Sequence, residues 1–158
     1  MPEEKAMNPA PEGEKGAPME AENHKEPEQK PISDPGEILR ELCKGKMELM
    51  YPFRARGQDV AEIPYDFCAL TGEELMDALD RAPYDNMFRI SNRQAMHLFA
   101  ATAEKEAPPA EEGRTGKIYD AKDIMRGLKA ADAVKAAQLA KLFYNASSQA
   151  GNRRISKK

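Results

Sequence analysis

Glu73, Glu74, Asp77 and Asp80 lie close together in the chain and are the densest group of residues that could do chemistry. Carboxylates so spaced could hold a divalent ion or share a proton, but either task needs convergent partners from other elements. No His or Cys is placed to supply them, so they read as a solvated helix face whose charge favours a helix N-terminus. His97 sits beside an apolar helical stripe, where a structural or exposed histidine is expected rather than a ligand. His24 lies in a polar segment and reads as solvated. Cys43 and Cys68 belong to no CxxC pair. A single disulfide is the alternative to free thiols, and free thiols in a reducing cytoplasm are expected. Gly113 and Gly116 match no phosphate-binding spacing. No nucleophile, base and orienting group recur in a recognisable arrangement. No catalytic residue, metal site or cofactor is therefore expected, and the chain does not read as an enzyme.

The elements that would position any site follow from composition. The chain has 158 residues and a net charge of −3, with 41% hydrophobic and 32% charged residues and a mean hydropathy of −0.74. That is polar for a compact enzyme of this length. No apolar run approaches the roughly 20 residues of a membrane span, and the N-terminus carries no apolar signal core. A soluble, cytoplasmic product is expected. Residues 1–36 are rich in Pro, carry nine acidic and four basic residues, and hold no large apolar residue beyond Met and Ile32. Such a segment cannot bury enough apolar surface to offset its ordering entropy, so a disordered acidic tail is expected. Its net −5 leaves +2 on residues 37–158. Tight nucleic-acid binding by the whole chain is not expected.

Residues 37–151 read as an α+β interaction domain, a hairpin followed by three or four short helices, and 152–158 as a basic C-terminal end. In "KMELMYPFRARGQDVAEIPYDF" (46–67), Met47, Leu49 and Tyr51 alternate with Lys46, Glu48 and Met50, a strand period. Pro52 and Gly57 are expected to bracket the loop, and Pro64 to end the return strand, because proline cannot donate to a ladder. In "LTGEEL", Thr71 with Glu74 three residues on forms a capping box, and Leu70 with Leu75 a hydrophobic staple. This predicts a helix over 72–82, with Leu75, Ala78, Leu79 and Ala82 inward. Ser91 and Gln94 repeat the box before a second helix, with Ala95, Leu98, Phe99, Thr102 and Ala103 on its apolar face. Phe88 and Ile90 are expected as core anchors before it. A linker follows over 107–117. Asp120 and Asp123 cap a short helix over 121–127, ended by Gly127. An alanine-rich helix over about 130–147 closes the domain, with Gly151 as its stop.

The order "MELMYPFRARGQDVAEIPYDF", then "LTGEELMDAL", then a helix rich in Ala and Phe, resembles the tail assembly chaperones of tailed bacteriophages. The closing "SSQAGNRRISKK" is similar to the ends of such proteins from phages of Gram-positive hosts. The resemblance covers about 46–155. It implies a non-enzymatic phage or prophage virion-assembly factor that binds and solubilises the helical tape measure protein in the host cytoplasm and is absent from the mature virion. Self-association is left open. The alternatives are another small phage structural or adaptor protein, or a nucleic-acid-binding regulator using the basic C-terminus.

A chaperone of this kind must show apolar surface to a helical client while staying soluble. Well-capped amphipathic helices can hold a client helix by its apolar stripe, and Met adapts to varied partners. The residues expected to bind the partner are Leu139, Leu142, Phe143 and Tyr144 on the closing helix, with Met76 and Leu79 on the first helix and Met96 and Phe99 on the second.

Overall fold

The computed structural model describes residues 34–83, 89–110 and 116–155, with side chains up to Gly151. Its elements are helix α1 (Pro35–Cys43), strands β1 (Lys44–Ala55) and β2 (Gln58–Asp66), a 3₁₀ turn (Phe67–Ala69), and helices α2 (Gly72–Asp80), α3 (Asn92–Glu106), α4 (Ala121–Gly127) and α5 (Ala130–Ile155). The architecture is α+β, as expected. Residues 1–33, where the acidic tail was placed, lie outside the described residues. So do His24, Met87, Phe88 and Gly113.

Helix α1 was not expected, and the tail boundary at 36 falls inside it. The local signals are there: Pro35 opens the helix, where its missing N–H is not needed, Glu37 lies in the first turn and Arg40 in the last. The nine-residue helix is too short for its apolar spacing to stand out beside a Pro-rich tail.

The two strands pair antiparallel, from Lys44 opposite Asp66 to Ala55 opposite Gln58. Arg56 and Gly57 make the whole turn, both at positive φ (48° and 86°), the requirement of a type I′ hairpin. The loop is therefore two residues and not the Pro52–Gly57 stretch. Pro52 lies inside β1, within a bulge: Leu49 to Pro52 face only Ala61, between the Glu48–Glu62 and Phe53–Val60 pairs. The bulge interrupts the alternation, so Met47, Phe53 and Ala55 are buried while Tyr51 is exposed. Pro64 does not end β2, which runs on to Asp66, with Pro64 opposite Lys46.

The three capping boxes form as the sequence indicates. Thr71 Oγ1 accepts from the Glu74 N–H at 3.2 Å while Glu74 accepts from the Thr71 N–H at 2.7 Å. Ser91 with Gln94 and Asp120 with Asp123 do the same. α3 is the centre of the domain, packed against β2, α2, α4 and α5. Ala95, Leu98, Phe99, Ala100, Thr102 and Ala103 are all buried, more of its circumference than a single stripe. Two of its buried polar side chains bond within the fold: Thr102 donates to the Phe99 carbonyl and Gln94 to the Leu79 carbonyl, whereas the buried Nε2 of His97 has no partner among the described residues. Ile90 is buried, as expected.

Gly127 ends α4, but the space around it gives the stronger reason for glycine. A Cβ there would lie 2.3 Å from the ring of Phe53. Only a bare backbone lets the hairpin approach so closely. Gly151 does not stop the last helix. It does not adopt the positive φ that a stop needs, and α5 continues to Ile155, past the expected end at 147 and past the boundary set at 151.

Cys43 and Cys68 are joined as a disulfide, with Cα atoms 5.4 Å apart, within the normal span of such a bond. The expectation of free thiols is corrected. The pairing could not be read from the chain, because only the fold brings α1's end beside the 3₁₀ turn.

Candidate partner-binding groove

The segment between β2 and α2 builds one wall of a groove from consecutive residues. Asp66 caps the 3₁₀ turn by accepting from the N–H groups of Cys68 and Ala69 at 2.9 and 3.0 Å. This holds Phe67 inward, where it is buried. The Thr71 box then starts α2, so that Leu70, Thr71, Gly72 and Leu75 line one side. α5 supplies the other side with Phe143, Tyr144, Ser147 and Ser148. The groove is open to solvent and has a volume of about 380 Å³.

Phe67 forms the floor. Its ring stacks on Phe143 with centroids 4.7 Å apart and planes 13° from parallel. Behind it, Tyr65 and Phe99 complete an aromatic cluster, each tilted on its neighbours at centroid distances of 5.3 to 6.5 Å. Such tilted and offset contacts suit the ring quadrupoles. Among the described residues the lining is apolar and aromatic, with hydroxyls of Thr71, Ser147 and Ser148 among it and no charged side chain. The nearby Glu74 is neutralised by Lys105, whose ammonium lies 2.9 Å from its carboxylate. The Thr71 backbone N–H and then Lys105 draw the Glu74 carboxyl down to about 2.

The expected partner-binding residues separate into three groups. Phe143 and Tyr144 are in the groove, both half-buried. Leu142 and Met76 are exposed, at 53% and 52%, while Leu139 and Met96 are half-buried against the core. Leu79 and Phe99 are core residues, at 2% and 0% exposure, and have no surface to offer a partner. Both lie on stripes that α2 and α3 use against each other and against β2. Helical periodicity marks such a stripe without saying what covers it. Phe67, Leu70 and Leu75 were missed as groove residues. The staple pattern around Thr71 had singled out the two leucines, but only as a helix start.

A second exposed apolar pair lies at the other end of α5. Met50 and Tyr51, in the β1 bulge, are 70% and 51% exposed. Their backbone N–H groups donate to the two carboxylate oxygens of Asp132 at 2.9 and 3.0 Å. Asp132 is buried, and Lys135 adds a bond to the Glu48 carbonyl at 3.1 Å. The sequence reading passed over Asp132, which carries no signal beyond being an acidic residue in a helix's first turn.

Among the described residues, the acidic group on α2 is not part of any cluster of three potential metal ligands. Burial, followed by the nearby charges of Arg81 and Arg93, lowers the pKa of His97. Among the described residues, Cys43, Asp66 and Cys68 alone bring three potential metal-ligand atoms within 4.8 Å of one another. The two sulfurs are bonded to each other and are not thiolate donors in this state. No helix among the described residues is long and apolar enough to cross a membrane. No protein-family model, curated protein or solved structure matches the chain.

Proposed function

We propose that this protein is a non-enzymatic assembly chaperone that holds an amphipathic helix of a larger client, as phage tail assembly chaperones hold the tape measure protein. The observation that carries the proposal is the uncharged aromatic groove between the start of α2 and the second half of α5, with Phe143 and Tyr144 in its wall. A client helix can lay its apolar stripe there in the helix-in-groove mode. Aromatic side chains in such a site supply much of the binding energy, with truncations costing roughly 2 kcal/mol or more. The capped helices fit the same task. They keep short helices formed under a domain that leaves apolar surface uncovered. In this reading the protein acts in the host cytoplasm during virion assembly, needs no cofactor, and leaves before the particle is complete.

The test is Tyr144→Asp, co-expressed with a phage tape measure protein as the helical client. Phe143 is the weaker choice because its ring also stacks on the buried Phe67. Circular dichroism should show a folded variant, and a pull-down should show capture reduced at least tenfold, the counterpart of about 1.4 kcal/mol. A folded variant that captures the client as well as the natural protein would exclude this groove as the client site.

A further inference from the structure

We propose that the helical partner is acidic: a pocket carrying Arg89 and Lys141 adjoins the groove and takes a carboxylate that flanks the partner's apolar stripe. The inference rests on the helix-binding reading above and deepens it by naming the partner's charge.

The pocket lies between the segment that enters α3 and the outer face of α5. Among the described residues it is lined by Arg89 and Ile90 from the first and by Lys141, Asn145, Ser148 and Gln149 from the second, around an open volume of about 450 Å³. Two cations and three neutral hydrogen-bonding side chains therefore converge there, and the described lining includes no carboxylate. Ile90 is buried and anchors its segment, while Arg89 beside it is exposed. Lys141 is half-buried and its ammonium donates to Asn92 Oδ1 at 2.6 Å, a neutral acceptor that positions the charge without cancelling it. Among the described residues the ion pairs of the domain all lie elsewhere.

The surroundings add to the positive field. The end of α2 meets the first turn of α3 through the Gln94 bond to the Leu79 carbonyl. Arg81 and Arg93 flank that junction, and their charges reach the interior, where they assist burial in lowering the pKa of His97. Asp77 and Asp80 on α2 do not line the pocket.

Pocket and groove share Ser148. Along α5, Lys141 is three residues from Tyr144, Tyr144 four from Ser148, and Asn145 three from Ser148, so these side chains are neighbours on one surface. The groove is uncharged and accepts an apolar stripe whatever lies beside it. The pocket supplies the discrimination, because a cationic site favours an anionic neighbour and rejects a cationic one. The guanidinium fork of an arginine matches the two oxygens of a carboxylate. A nucleic acid would offer phosphates but no apolar stripe for the groove, and the net charge of −3 opposes its approach.

The test uses the full chain and two synthetic amphipathic helical peptides of about 20 residues, long enough to form a helix. They share one apolar stripe, flanked by Glu in the first and by Gln in the second. The Glu peptide should bind about fivefold more tightly at about 0.1 M salt, the scale of two exposed ion pairs. That preference should fade at about 1 M salt, where the Debye length falls to about 3 Å. The double variant Arg89→Gln, Lys141→Gln should lose the preference and still bind the Gln peptide as the natural protein does, which also shows that it is folded. Lys122→Gln, which removes an exposed cation on α4, should keep the preference.

Equal binding of the two peptides would overturn the inference and leave the helix-binding reading standing. A preference that survives in the double variant, or that Lys122→Gln abolishes equally, would also overturn it, because the selectivity would then belong to the whole field and not to this pocket. A short DNA duplex that displaces the Glu peptide from the natural protein but not from the double variant would reassign the pocket to nucleic acid. Binding of neither peptide would remove the helix-binding reading, and this inference with it.

Discussion

The two ends of α5 are secured by opposite means. Near its start, the buried carboxylate of Asp132 takes the N–H groups of Met50 and Tyr51, and Lys135 takes the Glu48 carbonyl. Just before it, Gly127 leaves no gap against the Phe53 ring. In its second half, Phe143 and Tyr144 meet α2 only partly, across an apolar groove of about 380 Å³. A desolvated carboxylate on two amides is directional and costly to disturb. An apolar wall with open space in front of it is non-directional and can exchange one neighbour for another. One helix therefore carries both a fixed anchor and an adaptable surface, and the two ends should answer substitution differently: stability at the first, binding at the second.

The largest effect is expected at the anchor. Asp132→Ala strands two part-buried N–H groups, and should cost about 3 kcal/mol from the two charge-assisted bonds lost. Urea unfolding at neutral pH measures it, and a loss below about 1 kcal/mol would mean that the bulge is held by other contacts. Gly127→Ala comes next, at about 2 kcal/mol, the usual scale of overpacking a core. Its Cβ would have to displace the Phe53 ring, and an unchanged thermal midpoint would show that the ring moves freely.

At the groove end the stability effects should be smaller. Thr71→Ala removes the cap of α2 and should cost about 1 kcal/mol. If thermal unfolding shows a loss as large as that of the Asp132 variant, the two ends are not different in kind.

The smallest effect is a pH dependence. Glu74 is lowered in the fold from 4.5 to about 2 by its Thr71 and Lys105 partners. A carboxylate so lowered contributes stability that is fully present above its unfolded value and is lost as pH falls from 4.5 towards 2. Glu74 is exposed, so solvent and salt screen the contribution. Unfolding scans of Glu74→Gln should show a flatter pH profile across that window only, and a profile identical to the natural protein's would remove Glu74 from the account.

The parts that the sequence disclosed are those set by neighbours along the chain. Thr71 with Glu74, Ser91 with Gln94, and Asp120 with Asp123 are complete within four residues, and each forms as its spacing requires. The expected apolar stripe of α3, Ala95, Leu98, Phe99, Thr102 and Ala103, has the helical period. Even α1 carried its own start signal in Pro35, although the Pro-rich context concealed it.

What escaped the sequence depends on distant partners. A capping box is decided by three or four residues, because donor and acceptor are adjacent on one turn. Asp132 reaches residues more than eighty positions away, Gly127 is small because of Phe53, and Cys43 finds Cys68 only when α1 lies against the 3₁₀ turn. Periodicity could mark Leu79, Phe99, Phe143 and Tyr144 as members of apolar faces. Only packing could bury the first two and leave the others at an open groove, because burial is a property of what lies opposite and not of the residue itself.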